Sequence, residues 1–359
     1  SYDLLRRDEA LYEGQEFYAC ILDEAQAIKN HTTQKYKAVC KVRSRVRFAL
    51  TGTPVENRLG ELWSIFSFLM PGYLPPYKSF CSRFEKPIVQ EEDQTAVRRL
   101  NQLTGPFILR RMKSDVLKEL PPKTENVYRI ELEEEQRKLY LAAVVDAREK
   151  LRAAKPEDKM AVFAVLMRLR EICCDPRLIA DNWEGGSAKL DACAELVSSA
   201  VEGGHRILLF SQFTSMLELL AKRLDAEGIS HFTLQGSTPK PVRAELVRRF
   251  NGGEVSVFLI SLRAGGTGLN LTAADIVIHY DPWWNVAAQN QATDRAYRIG
   301  QQNPVQVYKL IAQDTIEEKI VELQQAKQSL ADTVTGTADG AILSMRPDEL
   351  LQLLEGSEP

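Results

Sequence analysis

The amino-acid sequence predicts an α/β protein built on parallel sheets. Near its start, the apolar run 17–22 ends abruptly in Asp23-Glu24, a pattern typical of a buried parallel strand with polar residues at its carboxyl end. From residue 188 onward, short apolar strands alternate with amphipathic helical stretches, which indicates a parallel sheet covered on both faces. A length of 359 residues is enough for two such domains.

The individual elements follow from periodicity and from glycine and proline positions. Strands are predicted at residues 17–22, 47–51, 206–210, 231–234, 255–260, 276–280 and 305–311. Helices are predicted at 215–226, 241–250, 315–332 and 347–354. Between 95 and 179 the pattern is helical, is interrupted by prolines and shows few strand signals. We therefore expect a helical middle block between two strand-containing regions.

Composition, net charge and cysteine spacing limit the functions that the sequence can have. Hydrophobic residues make up 44% and charged residues 26%, which is ordinary for a globular protein with sizeable cores. The net charge is -3, whereas a domain that binds nucleic acid by bulk charge is usually basic, so any such site must be a local patch. The six cysteines form no CxxC pair and predict no zinc site, and no apolar run is long enough to predict a membrane span.

Two polar turns follow the first two predicted strands. The carboxyl end of a strand is where open α/β sheets bind ligands, so Asp23 could hold a magnesium ion on nucleotide phosphates and Glu24 could polarise an attacking water. The alternative is a strand end capped by two solvated acids. Thr51-Gly52-Thr53-Pro54 predicts either a turn facing the same cleft or an ordinary surface turn.

Two further segments lie far downstream. The glycines at 265–268 would let backbone amides approach a phosphate or ribose, although a flexible loop is the alternative. Arg295 and Arg298 are three residues apart and would share one face of a helix. Two guanidinium groups suit the spread charge of a phosphoryl-transfer transition state. They could equally be solvated, or form a structural pair with Asp294.

The order of these motifs resembles the Swi/Snf-related family of superfamily-two helicase-like ATPases, which contains chromatin remodellers and DNA translocases. Asp23-Glu24-Ala25-Gln26 resembles motif II, and 291–301, ending Arg298-Ile299-Gly300-Gln301, resembles motif VI. The remaining similar segments are 1–3 (motif Ib), 51–54 (motif III), 207–213 (motif IV), 265–268 (motif V), and the family-typical stretches 109–116 and 169–176. The resemblance covers roughly residues 1 to 332.

The resemblance implies two RecA-like lobes with an inserted helical protrusion. Residues 1–70 would be the C-terminal part of lobe one, 71–182 the protrusion and inter-lobe linker, 183–332 a complete lobe two with its brace helix, and 333–359 a tail. No G-x-x-x-x-G-K-[ST] phosphate-binding loop is present in the sequence, so we expect the 359-residue chain to be inactive by itself. The short middle block favours a bacterial member of the family.

The resemblance also assigns residues to roles. Asp23 would be the magnesium-linked acid, Glu24 the catalytic base, and Arg295 and Arg298 the arginine fingers. Gly268 and Gln291 would contact the nucleotide. Nucleic-acid contacts would come from Thr51, Thr53, Ser211, Gln212, Gly236, Ser237, Thr238, Ser261, Arg263 and Trp283. Of Trp283 and Trp284, one would touch the duplex and the other would be buried.

The implied function is an ATP- and magnesium-dependent translocase that tracks double-stranded DNA without unwinding it and displaces bound proteins. DNA-bound proteins and RNA polymerase are candidate further partners, and no membrane is involved. Two alternatives stay open, an RNA-directed or RNA-polymerase-recycling motor and an ATP-independent scaffold built on a decayed motor. We expect a bacterial member to act in the cytoplasm at the nucleoid, and a eukaryotic one in the nucleus.

Overall fold

The computed structural model describes residues 1–52, 59–91, 93–109, 111, 116–117, 119–155, 158–180, 182–265, 268–324 and 347–355. The chain divides into two compact units. The first comprises residues 1–112 and 324–340, and the second comprises residues 113–323 and 341–359, so the C-terminal helix belongs to the second unit.

The first unit begins with two parallel strands, β1 (Glu16–Leu22) and β2 (Arg43–Ala49). The strand predicted at 17–22 is confirmed, whereas the one predicted at 47–51 begins and ends earlier. The helices of this unit are α1 (Tyr2–Arg7), α2 (Glu9–Tyr12), α3 (Gln34–Lys41), α4 (Leu59–Leu69), α5 (Tyr77–Phe80), α6 (Lys86–Gln90) and α7 (Gln94–Thr104).

Only one face of the β1–β2 pair is packed. Leu22 lies in a core with Val39 of α3 and Phe68 of α4. On the opposite face, Ile21 and Phe48 are register partners and remain 60% and 55% exposed. The turns at the carboxyl end of this sheet are therefore supported from the face that packs on α3 and α4.

Helices α4 to α7 share a second core in the first unit. Leu62 and Phe66 of α4 pack with Phe80 of α5 and Leu100 of α7. A π-helical turn, Cys81–Glu85, connects α5 to α6. This core crosses the predicted boundary at residues 70 and 71, so the structure groups these helices with the strands that precede them.

The second unit contains a six-stranded, all-parallel sheet in the order β3-β8-β7-β4-β6-β5. Its strands are β3 (Lys123–Ile130), β4 (Ile207–Ser211), β5 (His231–Leu234), β6 (Val257–Ser261), β7 (Ile276–His279) and β8 (Val305–Ala312). The predicted strands from residue 206 onward are confirmed within two residues. Every residue of β4, β6 and β7 is buried, which explains their continuous apolar runs.

Strand β3 was not predicted and lies within the middle block that we expected to be helical. It lies at the edge of the sheet, where β8 is its one partner among the described strands. Its sequence, KTENVYRI, is mostly polar because most of its side chains are exposed. An edge strand of this composition lacks the apolar run by which the central strands were predicted.

Helices cover the sheet and form a separate layer in the second unit. They are α8 (Glu134–Ala153), α9 (Lys159–Cys174), α10 (Ala188–Glu202), α11 (Thr214–Ala226), α12 (Lys240–Asn251), α13 (Leu262–Gly265), α14 (Val286–Thr293), α15 (316–324) and α16 (Pro347–Glu355). The predicted helix at 315–332 is confirmed as far as residue 324, and its remainder lies outside the described residues. None of the described helices is long and apolar enough to cross a bilayer.

The helical layer consists of α8, α9, α15 and the C-terminal helix α16. Leu350 and Leu354 of α16 are completely or almost completely buried in a core shared with α8 and α9. Arg148 of α8 also donates a hydrogen bond from Nη2 to the Leu354 carbonyl at 2.6 Å. The helix predicted at 347–354 is therefore confirmed and is integrated into the second unit.

Candidate nucleotide site and nucleic-acid interface

The acidic pair lies in the turn directly after β1. Glu24 has φ 51° and ψ 52°, a left-handed conformation that costs a non-glycine residue on the order of 1–3 kcal/mol. The turn is held by the Ala25 amide, which donates to the Leu50 carbonyl at 2.9 Å, and by the Tyr2 hydroxyl, which donates to the Asp23 carbonyl at 2.7 Å. Both acidic side chains are exposed.

Gln26 connects the two polar turns that the sequence placed at neighbouring strand ends. The Thr51 hydroxyl donates to Gln26 Oε1 at 2.7 Å, and Gln26 Nε2 donates to Glu24 Oε2 at 2.5 Å. A hydrogen-bonded chain therefore runs from the β2 end to the Glu24 carboxylate. It joins Glu24 and Gln26 of the first motif to Thr51 of the second, while Thr53 lies outside the described residues.

Asp23 is chemically suited to a magnesium ion that is bound mainly by phosphate and water. Its Oδ1 accepts from the Glu24 amide at 3.0 Å, and the residue as a whole is exposed. Within the described ranges, no three Asp, Glu, His or Cys side chains converge on a metal cage. Magnesium in nucleotide sites commonly takes one or two carboxylates together with substrate phosphates, so a single exposed acid is compatible with that role.

In the second unit, the predicted arginine pair does not lie on a helix. Helix α14 ends at Thr293, and Arg295 and Arg298 follow in consecutive turns. The prediction that these arginines share one face of a helix was wrong, because α14 ends at Thr293 and the residues after it form turns. Arg295 is only 8% exposed, and Arg298 is half-buried.

The arginine segment is nevertheless attached to the glycine loop. Arg298 Nη1 donates to the Leu269 carbonyl at 3.3 Å, and the Leu271 amide donates to the Arg295 carbonyl at 3.0 Å. Gly268, beside this contact, has φ +25°, and among the described residues, its chain neighbours excepted, no atom lies within 4 Å of the position its Cβ would take. Arg298 is thus hydrogen-bonded to the backbone directly after this glycine.

Gln301 anchors this arrangement, a role that sequence reasoning missed. Its buried Nε2 donates to the carbonyls of Ala274 and Ala296 at 2.7 and 3.1 Å, and its Oε1 accepts from the Gln302 and Asn303 amides. Only its motif context, Arg-Ile-Gly-Gln, hinted at significance. The side chain closes the turns that hold both arginines.

His279 provides a second anchor behind the same segment. Its Nε2 lies 2.8 Å from the hydroxyl of Thr293, the last residue of α14, and its ring stacks on Phe210. Burial, followed by repulsion from Lys309, lowers the pKa of His279 to about 3. The imidazole is therefore neutral at physiological pH and ties α14 to β7.

Ser211 departs from its predicted role. Its side chain is fully buried, and its hydroxyl donates to Asp281 Oδ1 at 2.6 Å. It supports the turn instead of contacting phosphate directly. Gln212, the next residue, is half-buried, and its backbone amide donates to the same Asp281 carboxylate at 3.2 Å.

The other predicted nucleic-acid residues differ in exposure. Gly236 and Ser237 are exposed in the loop after β5, where the Thr238 hydroxyl accepts from the Gln235 amide at 3.1 Å. Ser261 is 3% exposed, and its hydroxyl has no hydrogen-bond partner among the described residues.

Three predicted residues remain. Gln291 lies on α14 and is half-buried, and the Arg263 side chain lies outside the described part of the chain. Trp283 is half-buried, whereas Trp284 is buried, with the Arg170 guanidinium 4.1 Å from its ring centre. This difference agrees with the expectation that one of the two tryptophans is buried.

These features define a class of protein. Parallel α/β units carry an acidic pair at strand ends in one unit, and arginines beside a glycine loop in the other, as helicase-like nucleotide-dependent proteins do. Comparison with family models agrees. Residues 1–178 match the SNF2-related domain, and residues 188–300 match the helicase conserved C-terminal domain.

Two known proteins are similar to the chain over almost its whole length. It is 40% identical over 99% of its length to an uncharacterized ATP-dependent helicase of Mycoplasma pneumoniae, and covers 34% of that protein. It is 35% identical over 99% of its length to the mouse SWI/SNF-related matrix-associated actin-dependent regulator of chromatin subfamily A member 1, and covers 35% of it. The chain thus spans about a third of the length of these relatives.

A solved structure provides the same link. The Sulfolobus solfataricus SWI2/SNF2 ATPase core in complex with dsDNA is 35% identical to the chain, with a TM-score of 0.53. The alignment covers 93% of this chain and 72% of that one. The chain belongs to the SNF2-related family of superfamily-two helicase-like proteins, and the resemblance and fold class predicted from its motifs are confirmed.

Proposed function

We propose that the protein carrying this chain is an ATP hydrolase that uses magnesium and translocates along double-stranded DNA. The observation that carries the proposal is the exposed Glu24 carboxylate, held by Gln26 and Thr51 at the polar end of a parallel sheet. A positioned carboxylate at a strand end is the group that orients and deprotonates water in phosphoryl transfer.

The first unit would supply the acid–base chemistry. Asp23 would hold the magnesium ion, which neutralises phosphate charge when it is bound. Glu24 would accept a proton from the attacking water, and its fixed left-handed backbone would limit the positions that its carboxylate can take. The bond from Gln26 would keep one carboxylate oxygen oriented while the other accepts the proton.

The second unit would supply positive charge. Arg298 is the more exposed of the two arginines, so we propose it as the first to contact a phosphate, with Arg295 as the second guanidinium of the same nucleotide. An arginine finger contributes roughly 10³–10⁵-fold in rate because it stabilises the charge that spreads over the transferred phosphoryl group. Gly268 and Gln291 would contact the same ligand from the loop and from α14.

Duplex DNA is the proposed track. Support comes from the solved relative, the Sulfolobus solfataricus SWI2/SNF2 ATPase core, which is in complex with dsDNA. Two loops offer amides and hydroxyls that can contact phosphates without reading sequence. One carries the exposed Gly236 and Ser237, and the other, called the Gln212 loop, consists of residues 212–213 between β4 and α11. Such contacts require no basic net charge, which is consistent with the value of -3. Displacement of DNA-bound proteins would follow from translocation.

The test is Glu24→Gln in the full-length protein. ATP turnover should fall by about 10²–10⁴-fold, the usual contribution of a general base, while nucleotide still binds. The matched control is Glu13→Gln, because Glu13 is an exposed acid of the same unit outside the strand-end turns. Unchanged turnover in Glu24→Gln would remove Glu24 from its role.

The stimulating nucleic acid is tested separately in the wild-type protein. Duplex DNA, single-stranded DNA and RNA are compared as activators of ATP turnover. We expect stimulation by duplex DNA to exceed that by the other two. Equal or stronger stimulation by RNA would favour an RNA-directed motor, and no turnover with any of them would favour an ATP-independent scaffold.

A further inference from the structure

A fully buried ion pair lies beneath the Gln212 loop. Arg170 of α9 donates from Nη2 to Asp281 Oδ2 at 3.3 Å and to the Pro282 carbonyl, and neither charged side chain is exposed. The guanidinium lies 4.1 Å from the ring centre of Trp284 and 5.5 Å from that of Phe213. Arg170 therefore contacts both the segment that follows β7 and Phe213, the residue after Gln212.

Asp281 completes the connection to Gln212. Its carboxylate accepts from the Ser211 hydroxyl at 2.6 Å and from the Gln212 amide at 3.2 Å, in addition to Arg170. The loop after β4 and the loop after β7 are thus joined through a single carboxylate. Burial raises the pKa of Asp281, and Arg170 and Ser211 oppose that shift by stabilising the ionised form.

Helix α9 also reaches the Gln212 side chain. Met167 precedes Arg170 by three residues, so the two lie on the same helix face. Gln212 Nε2 lies 3.9 Å from Met167 Sδ. One face of α9 therefore contacts the Gln212 side chain, supports its backbone through Asp281, and packs on the following Phe213.

We propose that Arg170 and Asp281 are positioning residues that hold Gln212 in the conformation that contacts duplex DNA. The inference rests on the proposed function, in which Gln212 contacts the phosphate backbone. It adds that helix α9 sets the DNA affinity of the second unit through this pair. Arg170 has no exposed surface and cannot touch DNA itself, so any effect of its removal on DNA binding is indirect, and the double-mutant cycle with Gln212 tests whether it passes through the Gln212 loop.

A buried ion pair affects the conformation of a protein more than its net stability. Such pairs contribute little net stability, but they fix one conformation, because either charge left alone is strongly unfavourable. Here the loop can move only if the Asp281 carboxylate leaves Arg170 or loses the Ser211 and Gln212 bonds. The pair therefore restricts Gln212 to one position relative to α9.

A double-mutant cycle on the full-length protein tests this. Arg170→Met, Gln212→Ala and the double variant are compared with wild type for the Kd of a fluorescein-labelled duplex DNA, measured by anisotropy. Each single variant should weaken binding by roughly 3- to 10-fold, the worth of one net hydrogen bond. The double variant should bind no more weakly than the weaker single variant, because both changes remove the same contact.

Glu317→Gln is the matched control. It removes the acid of Lys189–Glu317, a second fully buried ion pair of this unit, whose carboxylate accepts from the Lys189 ammonium and from the Ala312 amide at the end of β8. It should lower the urea unfolding midpoint and leave the Kd unchanged. If Arg170→Met does not unfold cooperatively, Asp281→Asn, which keeps the side-chain shape, takes its place in the cycle.

Three results would overturn the inference. They are a double variant whose effect is the product of the single effects, an Arg170 or Asp281 variant with wild-type Kd, and a Glu317→Gln variant that weakens binding as much as Arg170→Met. Failure of the wild-type chain to bind duplex DNA at all would be a distinct result. It would refute the DNA-binding part of the proposed function and thereby the premise of this inference.

Discussion

The Lys189–Glu317 pair allows the sharpest stability prediction. Lys189 lies on α10, Glu317 lies on α15, and neither side chain is exposed. The Glu317 carboxylate also accepts from the Ala312 amide at 2.9 Å, and the Lys189 ammonium lies 5.6 Å from the ring centre of Tyr280. The pair joins α10 to the segment that follows β8.

Lys189→Met should destabilise the second unit by about 3–5 kcal/mol, because it leaves the Glu317 carboxylate buried without a counter-charge. For a unit of this size, 1 kcal/mol shifts Tm by about 2–4 °C, so the expected loss is roughly 6–20 °C. Lys189→Met combined with Glu317→Gln removes both charges and keeps an amide oxygen for the Ala312 amide. The double variant should therefore recover to within about 1–2 kcal/mol of wild type.

Urea unfolding followed by far-UV circular dichroism and tryptophan fluorescence measures these differences. Lys150→Met is the matched control, since Lys150 pairs with Asp146 one helical turn away while both side chains are about half exposed. That exposed pair should contribute less than about 0.5 kcal/mol. The reasoning is refuted if Lys189→Met costs no more than Lys150→Met, or if the double variant is as unstable as the single one.

Three further outcomes are expected. The folded state keeps His279 neutral down to about pH 3, whereas the imidazole of the unfolded state is protonated below about pH 6.5. As the pH is lowered from 6.5 to 3, the free energy of unfolding should therefore decrease by up to about 1.4 kcal/mol per pH unit. Urea titrations at several pH values should show a shallower fall in His279→Gln, and an unchanged slope would contradict this account. Leu350→Ala should cost about 2–5 kcal/mol in the same assay, since Leu350 is fully buried, and a loss below 1 kcal/mol would mean that α16 is not packed as described. Gln26→Leu removes both hydrogen bonds that link Thr51 to Glu24 through Gln26, and it should lower ATP turnover of the full-length protein by roughly 10- to 100-fold. Thr51→Val should affect the same step. Wild-type turnover in Gln26→Leu would exclude the hydrogen-bonded chain from catalysis.

The central part of the fold could be predicted because its signals are local. Strands β4, β6 and β7 are buried on both faces, so they appear as continuous apolar runs that end in polar turns. Edge strand β3 gave no such signal, because its exposed side chains are polar and its pairing with β8 joins residues far apart in the chain. A strand with one partner and an exposed surface resembles a loop in composition.

The candidate site, like the fold, was only partly predictable from the sequence. Asp23 and Glu24 were found because acids directly follow an apolar strand, and motif order pointed to Arg295 and Arg298. Spacing alone wrongly placed these arginines on a helix, since a three-residue interval is equally compatible with the turns that Gln301 holds after α14.

By itself, the sequence determined the family, the parallel α/β class and the polar residues at the strand ends, because each depends on residues adjacent in the chain. Only the tertiary structure decided which polar side chains are partners. Arg170 and Asp281 are 111 residues apart, and Lys189 and Glu317 are 128 apart. Such separations leave no periodic pattern, since the two charges meet only after the helices and strands that carry them have packed. The same packing buried the Ser211 hydroxyl and left Gly236 and Ser237 exposed in the loop after β5.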